Sequence, residues 1–222
     1  MKKILFLFLA FCFAKVQAQI DYSGIYSFSI PLDREIEGYS IKPTKDDGGP
    51  SGELILVKKS DLEYKFWLSA NRGWPNYNNG FISGFISIKN GKANFKRKSE
   101  YADDYCEISF TLKPNMAVLT NPRAMGCDFG MGVSADGEYN KSTKVLTSEY
   151  LFSFMEGMGD IKIIKSAKAP LFKDAAMSMP SKQYFIKGDK VYVTDRSSKS
   201  VFVEYIAKGQ RYIYGWISDE DI

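Results

Sequence analysis

From Ile20 onward, apolar residues recur in short runs rich in Val, Ile, Phe and Tyr, each closed off by Gly, Asn, Asp or Pro. Helical periodicity is hard to find, and runs of this length and composition read as β-strands. The pattern predicts strands over Gly24 to Ile30, Glu53 to Lys59, Glu63 to Ala70, Phe81 to Lys89 and Lys92 to Arg97. It continues with Cys106 to Lys113, Met116 to Thr120, Gly132 to Tyr139 and Val145 to Phe154. The run from Glu63 to Leu68 alternates only approximately, and the run from Phe81 to Ile88 carries Gly84, a residue at which strands bend. Lys89-Asn90-Gly91-Lys92 holds the Asn-Gly pair of a tight hairpin, whose two central residues need positive φ. Many short strands joined by tight turns imply an all-β chain that opens with an antiparallel barrel or sandwich.

The strand pattern breaks at Gly157-Met158-Gly159-Asp160, which marks a boundary between a first unit and a second of about sixty residues. Residues 165–222 carry ten Lys+Arg and seven Asp+Glu, a modestly positive balance. The second unit opens with Ala169-Pro170-Leu171-Phe172. Tyr184 to Val193 follows, broken by the turn Lys187-Gly188-Asp189, with Val191 and Val193 placed to face inward. Ser200 to Ile206 is a further strand, and Tyr214-Gly215-Trp216-Ile217-Ser218 closes the series, with Gly215 allowing close chain approach.

The first eighteen residues are an address. Met1-Lys2-Lys3 is positive, Ile4 to Ala14 is apolar, and Val16-Gln17-Ala18 offers small residues for cleavage, so a secretory signal over 1–18 is expected. An apolar run of this length is too short for a membrane anchor, which needs about 20 residues. A lipoprotein signal at Cys12 would want a small residue where Phe11 stands. No later segment is long and apolar enough to span a bilayer, so the expected product is periplasmic or secreted. In an oxidising compartment Cys106 and Cys127, left after Cys12 departs, are expected to form one disulfide. The loop it closes, of about twenty residues, is worth about 3 kcal/mol.

Composition removes several function classes. The 222 residues are 45% hydrophobic and 25% charged, an ordinary globular balance that argues against disorder. Of the 30 basic residues, Lys2, Lys3 and Lys15 leave with the leader, so 27 face 26 acidic ones and bulk charge does not favour a nucleic-acid partner. The chain has no histidine, which excludes Ser-His-Asp and Cys-His catalysis and His-ligated metals. The remaining carboxylates, Asp103, Asp104, Glu107, Asp128 and Asp136, occupy no motif that pairs two of them for acid–base work. Asp46-Asp47-Gly48 lacks the spaced ligands and distal Glu of a calcium loop. The expectation is therefore a protein that is not an enzyme and needs no metal or cofactor.

Two resemblances add to this. The Lys187-Gly188-Asp189 turn with the closing Gly215-Trp216-Ile217 resembles the bacterial SH3-like domain over nearly all of residues 165–222. That implies a small barrel over 161–222, of a kind that envelope proteins use to hold peptidoglycan or peptide through aromatic residues and loops. The first unit, 19–160, has a Gly24-Ile25-Tyr26 opening, a Cys106 strand, a Gly126-Cys127 turn and an Asp136-Gly137-Glu138-Tyr139 strand. This order is similar to small secreted envelope barrels, periplasmic lysozyme inhibitors among them, and implies a disulfide-braced antiparallel barrel.

Candidate binding residues follow from exposed aromatics among polar neighbours. Arg72, Trp74 and Tyr77 share a loop with several asparagines, offering flat apolar faces beside paired donors and acceptors. Trp74 either contacts a ligand or packs over the barrel end as a lid. Tyr192, Tyr205, Tyr212 and Tyr214 alternate along strands of the second unit, so that some should face solvent. The glycine-rich stretch Gly38 to Gly52, with Lys42, Lys45, Asp46 and Asp47, could be a flap or a partner-facing loop. The composite expectation is a secreted, non-catalytic cell-envelope binding protein. Its SH3-like unit would dock to peptidoglycan or an envelope protein while the barrel recognises a ligand. The alternative is an inhibitor or immunity-type protein against a wall-degrading enzyme or toxin.

Overall fold

A computed structural model describes residues 20–32, 42–101 and 103–222. The expected leader, 1–18, lies outside the described residues. Eight strands form the first sheet: β1 (Gly24–Ser29), β2 (Ser51–Lys58), β3 (Glu63–Asn71), β4 (Asn79–Ser87), β5 (Lys92–Lys98), β6 (Tyr105–Lys113), β7 (Met116–Thr120) and β8 (Gly137–Lys141). Their order is β4-β3-β2-β1-β8-β7-β6-β5, every pairing antiparallel. The two end strands are consecutive in sequence, so the sheet is a nearly closed barrel with a seam between β4 and β5. At the foot of the seam Asn90 and Gly91 take φ of 51° and 71°, as the Asn-Gly hairpin requires. Midway along it the Phe95 ring lies directly on Gly84, where a side chain would leave no room.

The barrel interior is packed with Leu54, Leu56, Phe66, Leu68, Ile82, Ile86, Ile108, Phe110, Leu119 and their neighbours. Tyr26 and Tyr139 are buried there, and each satisfies its hydroxyl by donating to a carbonyl four residues back, Tyr22 O at 2.7 Å and Ala135 O at 3.0 Å. Burial pushes both phenols well above their usual pKa. Cys106 and Cys127 lie at disulfide distance, with Cα atoms 4.1 Å apart.

The second sheet has six strands: β9 (Asp160–Ile163), β10 (Lys168–Phe172), β11 (Pro180–Ile186), β12 (Lys190–Arg196), β13 (Ser200–Ala207) and β14 (Arg211–Ser218). Their order is β11-β10-β14-β13-β12-β9. Its own core holds Leu171, Phe185, Val191, Val193, Val201, Val203 and Ile217. An added Cβ at Gly215 would sit 2.7 Å from Phe172 O, so the close approach expected there is real.

Two predicted strands are corrected. Residues 145–154 do not form a strand; Ser148–Phe154 is a helix, α1. The Thr147 hydroxyl accepts from Tyr150 N–H as its N-cap, Glu149 lies in the first turn, and Leu151 and Phe152 turn one buried face to the sheets. The strand expected over Gly132 to Tyr139 is confined to β8, and the residues before it stay in loop.

A third core joins the two sheets. Ile25, Ile55, Val57 and Trp67 project from the outside of the barrel and meet Leu151, Phe152 and Met155 of the helical segment and Tyr192, Ile206 and Tyr212 of the second sheet. The approximate alternation of β3 is thereby explained: Tyr64, Phe66 and Leu68 fill the barrel while Lys65 and Trp67, on the other face, are buried in the junction. Ser148 Oγ bonds both the carbonyl and the N–H of Ile206, at 2.8 and 2.9 Å, which fixes α1 to β13. Among the described residues, no helix is long and apolar enough to cross a membrane.

Candidate functional site

The barrel has two unlike ends. In an antiparallel meander alternate connections fall on the same side, and here β2–β3, β4–β5 and β6–β7 are joined by tight turns of four residues or fewer. The connections at the opposite end are longer, and their described parts are residues 30–32 with 42–50, 72–78, 99–101 with 103–104, and 121–136. Long connections concentrated on one end of a rigid scaffold are where binding residues are usually carried.

These four loops are tied to one another. Trp74 N–H donates to Gly48 O at 2.9 Å and the Tyr77 hydroxyl donates to the Asp47 carboxylate, joining the first loop to the second. Asn78 Nδ2 and Arg72 Nη1 donate to Met131 O at 2.8 and 3.4 Å, and Gly130 N–H donates to Asn79 O, joining the second to the fourth. Asp128 accepts from Ser99 Oγ, from Glu100 N–H at 3.2 Å and from Arg97 at 3.1 Å, joining the fourth to the third. Arg123 adds a 3.0 Å ion pair to Asp104. Burial pushes the Asp128 carboxyl up, but the Ser99 and Glu100 bonds and the Arg97 charge outweigh it and hold its pKa below the usual range. The disulfide pins the same loop to the start of β6.

The sequence-predicted residues divide between two places. Arg72, Trp74 and Tyr77 do lie together in this loop cluster. Trp74 is only 9% exposed, the position of a lid residue, while Tyr77 stands in solvent. The four tyrosines of the second unit lie elsewhere, along the junction. Tyr192 and Tyr212 are 2% and 7% exposed and face the barrel, which corrects any expectation of them as solvent-facing contacts. Tyr205 and Tyr214 remain half-buried beside them. The physical reason is that β2 and β3 also carry apolar residues, Ile55, Val57 and Trp67, on their outer face, and the tyrosine face of the second sheet covers them. Tyr184 is exposed, and Phe202 and Trp216 pack edge to face with 5.4 Å between centroids, half-buried outside the second core.

Sequence reasoning missed the most exposed residues of the loop end. Tyr101, Met125 and Met131 are 86%, 87% and 81% exposed. Met125 and Met131 stand in a glycine-rich connection, Ala124 to Gly132, and large apolar residues in such a loop were the available signal. Exposed aromatic and methionine side chains are enriched at protein-contact surfaces.

The class of protein defined here is an all-β chain: a nearly closed eight-stranded antiparallel barrel, braced by a six-stranded sheet and bearing a cross-linked loop surface at one end. No family model, curated protein or solved structure matches the chain.

Proposed function

We propose that this is a secreted, non-catalytic binding protein of the cell envelope that recognises a protein partner with the loop end of its barrel. The observation that carries this reading is the cross-bracing of four loops around exposed Tyr77, Tyr101, Met125 and Met131. A surface ordered before binding loses less conformational freedom on association, and its apolar side chains supply contact area. In this reading the six-stranded sheet stiffens the barrel, because its tyrosine face is occupied by the junction. Its exposed edge-strand residues, Ile161 and Ile163 on β9 and Tyr184 and Ile186 on β11, are the parts left to touch peptidoglycan or another envelope component. A wall-degrading enzyme is the partner to try first, since inhibition by a protruding loop needs a stiff loop end.

The test pairs binding to purified muramidases and envelope proteins with a variant carrying Tyr101→Ser and Met131→Ser. A specific complex should bury about 1,200–2,000 Å², and the double variant should weaken it at least tenfold with an unchanged melting temperature. A complex that survives removal of both side chains and of Tyr77 would place recognition elsewhere. Retention of the secreted chain on insoluble peptidoglycan, unaffected by these changes, would assign wall contact to the second sheet.

A further inference from the structure

The outer face of β2, β3 and β4 changes character along its length. Toward the tight-turn end it carries Ile55, Val57 and Trp67, buried in the junction. Toward the loop end the pairing sets Glu53 opposite Ser69 and Ser69 opposite Phe81; one step on, Ser51 faces Asn71 and Asn71 faces Asn79. Residues two apart on a strand share a face, so these six side chains stand in two adjacent rows. The row between them, Gly52, Ala70 and Gly80, belongs to the inner face, where Phe28, Tyr139 and Phe129 crowd the two glycines. The turn after α1, Glu156 to Met158, forms the opposite wall, and the groove so enclosed has a volume of about 620 Å³. That is within the range of small-ligand sites.

The chemistry of this groove is specific. Phe81 supplies an aromatic wall and packs against Phe154 of α1, with 6.1 Å between ring centroids. Glu53 is fixed by the Tyr150 hydroxyl at 2.8 Å and keeps further acceptor capacity. Asn71 Oδ1 accepts from Gly73 N–H at 2.6 Å, which leaves its amide donors. Among the described residues the side chains of Ser51, Ser69 and Asn79 make no hydrogen bond, so their donors and acceptors are uncommitted. Lys144 already places positive charge near Glu53, so neutral hydroxyl donors suit the site better than a cationic side chain. A sugar ring matches this set: an apolar C–H face for an aromatic wall, and hydroxyls that both donate and accept.

We propose that this groove binds an oligosaccharide, with Phe81 beneath a sugar ring, Glu53 accepting hydroxyl protons, and Asn71, Asn79, Ser51 and Ser69 pairing with the remaining polar groups. The site uses residues of β2 to β4 and the α1 turn, none of them among the exposed side chains offered to a protein partner. The two assignments therefore fail separately.

The experiment is calorimetric titration of the secreted chain with chitotetraose and, in parallel, with cellotetraose, which lacks acetamido groups. Saturable binding of either sugar is expected, and a preference for the first would assign part of the contact to the acetamido group. Glu53→Gln, which keeps an acceptor for Tyr150, should weaken binding about tenfold or more because a charged acceptor is lost. Asn79→Ala, at an exposed position, should weaken it severalfold with an unchanged melting temperature. Tyr101→Ser should leave sugar affinity as it was. No saturable binding of either sugar at millimolar concentration, or equal binding by the two groove variants and the parent, would overturn the proposal.

Discussion

The junction and the loop end are both held by polar groups, yet they are built on opposite principles. At the junction Lys65 Nζ lies 2.8 Å from Glu204 Oε1, with the two side chains 8% and 2% exposed. Tyr212 donates to the same oxygen at 2.6 Å, and the lysine sits 5.2 Å from the Trp67 ring. Burial and the adjoining carboxylate push the Tyr212 phenol far up, so the tyrosine stays a donor. Among the described residues Glu204 Oε2 and Trp67 Nε1 have no hydrogen-bond partner, so this is a charge pair enclosed in an apolar core at a real desolvation cost. The loop end instead puts its bonds near water, where each contributes little, and relies on their number and on one covalent link. Burial fixes one arrangement of the two sheets; cross-linking keeps a surface in place while leaving it accessible.

The largest effect belongs to the junction. Glu204→Ala removes the partner of a buried ammonium and should lower stability by about 3–5 kcal/mol in denaturant unfolding. Replacing both charges, Lys65→Met with Glu204→Leu, should recover most of that loss or exceed the parent. A single variant that costs less than a surface pair would show that water reaches the junction and that the contrast with the loop end is false.

Opening the Cys106–Cys127 link by double Cys→Ser substitution comes next, at about 3 kcal/mol for a loop of this length. Hydrogen exchange should show faster opening around 121–136 and 99–104, with β13 amides protected as before. Equal acceleration in β13 would mean that the loop end and the junction are one cooperative unit.

How much of this was legible depends on distance along the chain. The Asn90-Gly91 turn carries its meaning within a few residues, and the sequence pattern located it; Gly84, read as a bend, instead makes room for the Phe95 ring across the seam. The helix at Ser148–Phe154 was hidden because its aromatic residues also favour strands; Thr147 and Glu149 were the local cues to a capped helix. Burial of Tyr192 and Tyr212 could not be read locally, since alternation reports two faces and not what covers the second. The loop braces were least legible of all: Asn78 meets Met131 across 53 residues and Ser99 meets Asp128 across 29, with no periodicity connecting them. Arg72, Trp74 and Tyr77 were placed in one loop correctly, but their exposures follow from contacts with segments that the loop itself does not specify.

The smallest effect is a matter of sign, and it separates the loop end from the neighbouring groove. Asp128 has a carboxyl pKa held below its unfolded value, so its contribution to stability is present above about 3.9 and is lost as pH falls through the folded value. Glu53 is the reverse: burial raises its pKa, against the opposing Tyr150 bond and Lys144 charge, so the folded state prefers it protonated. Its ionisation costs stability above the folded value, and that cost fades as pH falls toward the unfolded value of about 4.3. Acidification from neutrality should therefore relieve Glu53 first and weaken the Asp128 brace afterwards. Melting temperatures of the parent, Glu53→Gln and Asp128→Asn across this range provide the check. Glu53→Gln should lead the parent slightly near neutral pH and lose that lead in acid, whereas Asp128→Asn should trail near neutral pH and converge on the parent below about pH 4. Profiles that diverge from the parent in the same direction would mean that the two carboxyls share one environment and that the groove is no drier than the loop end.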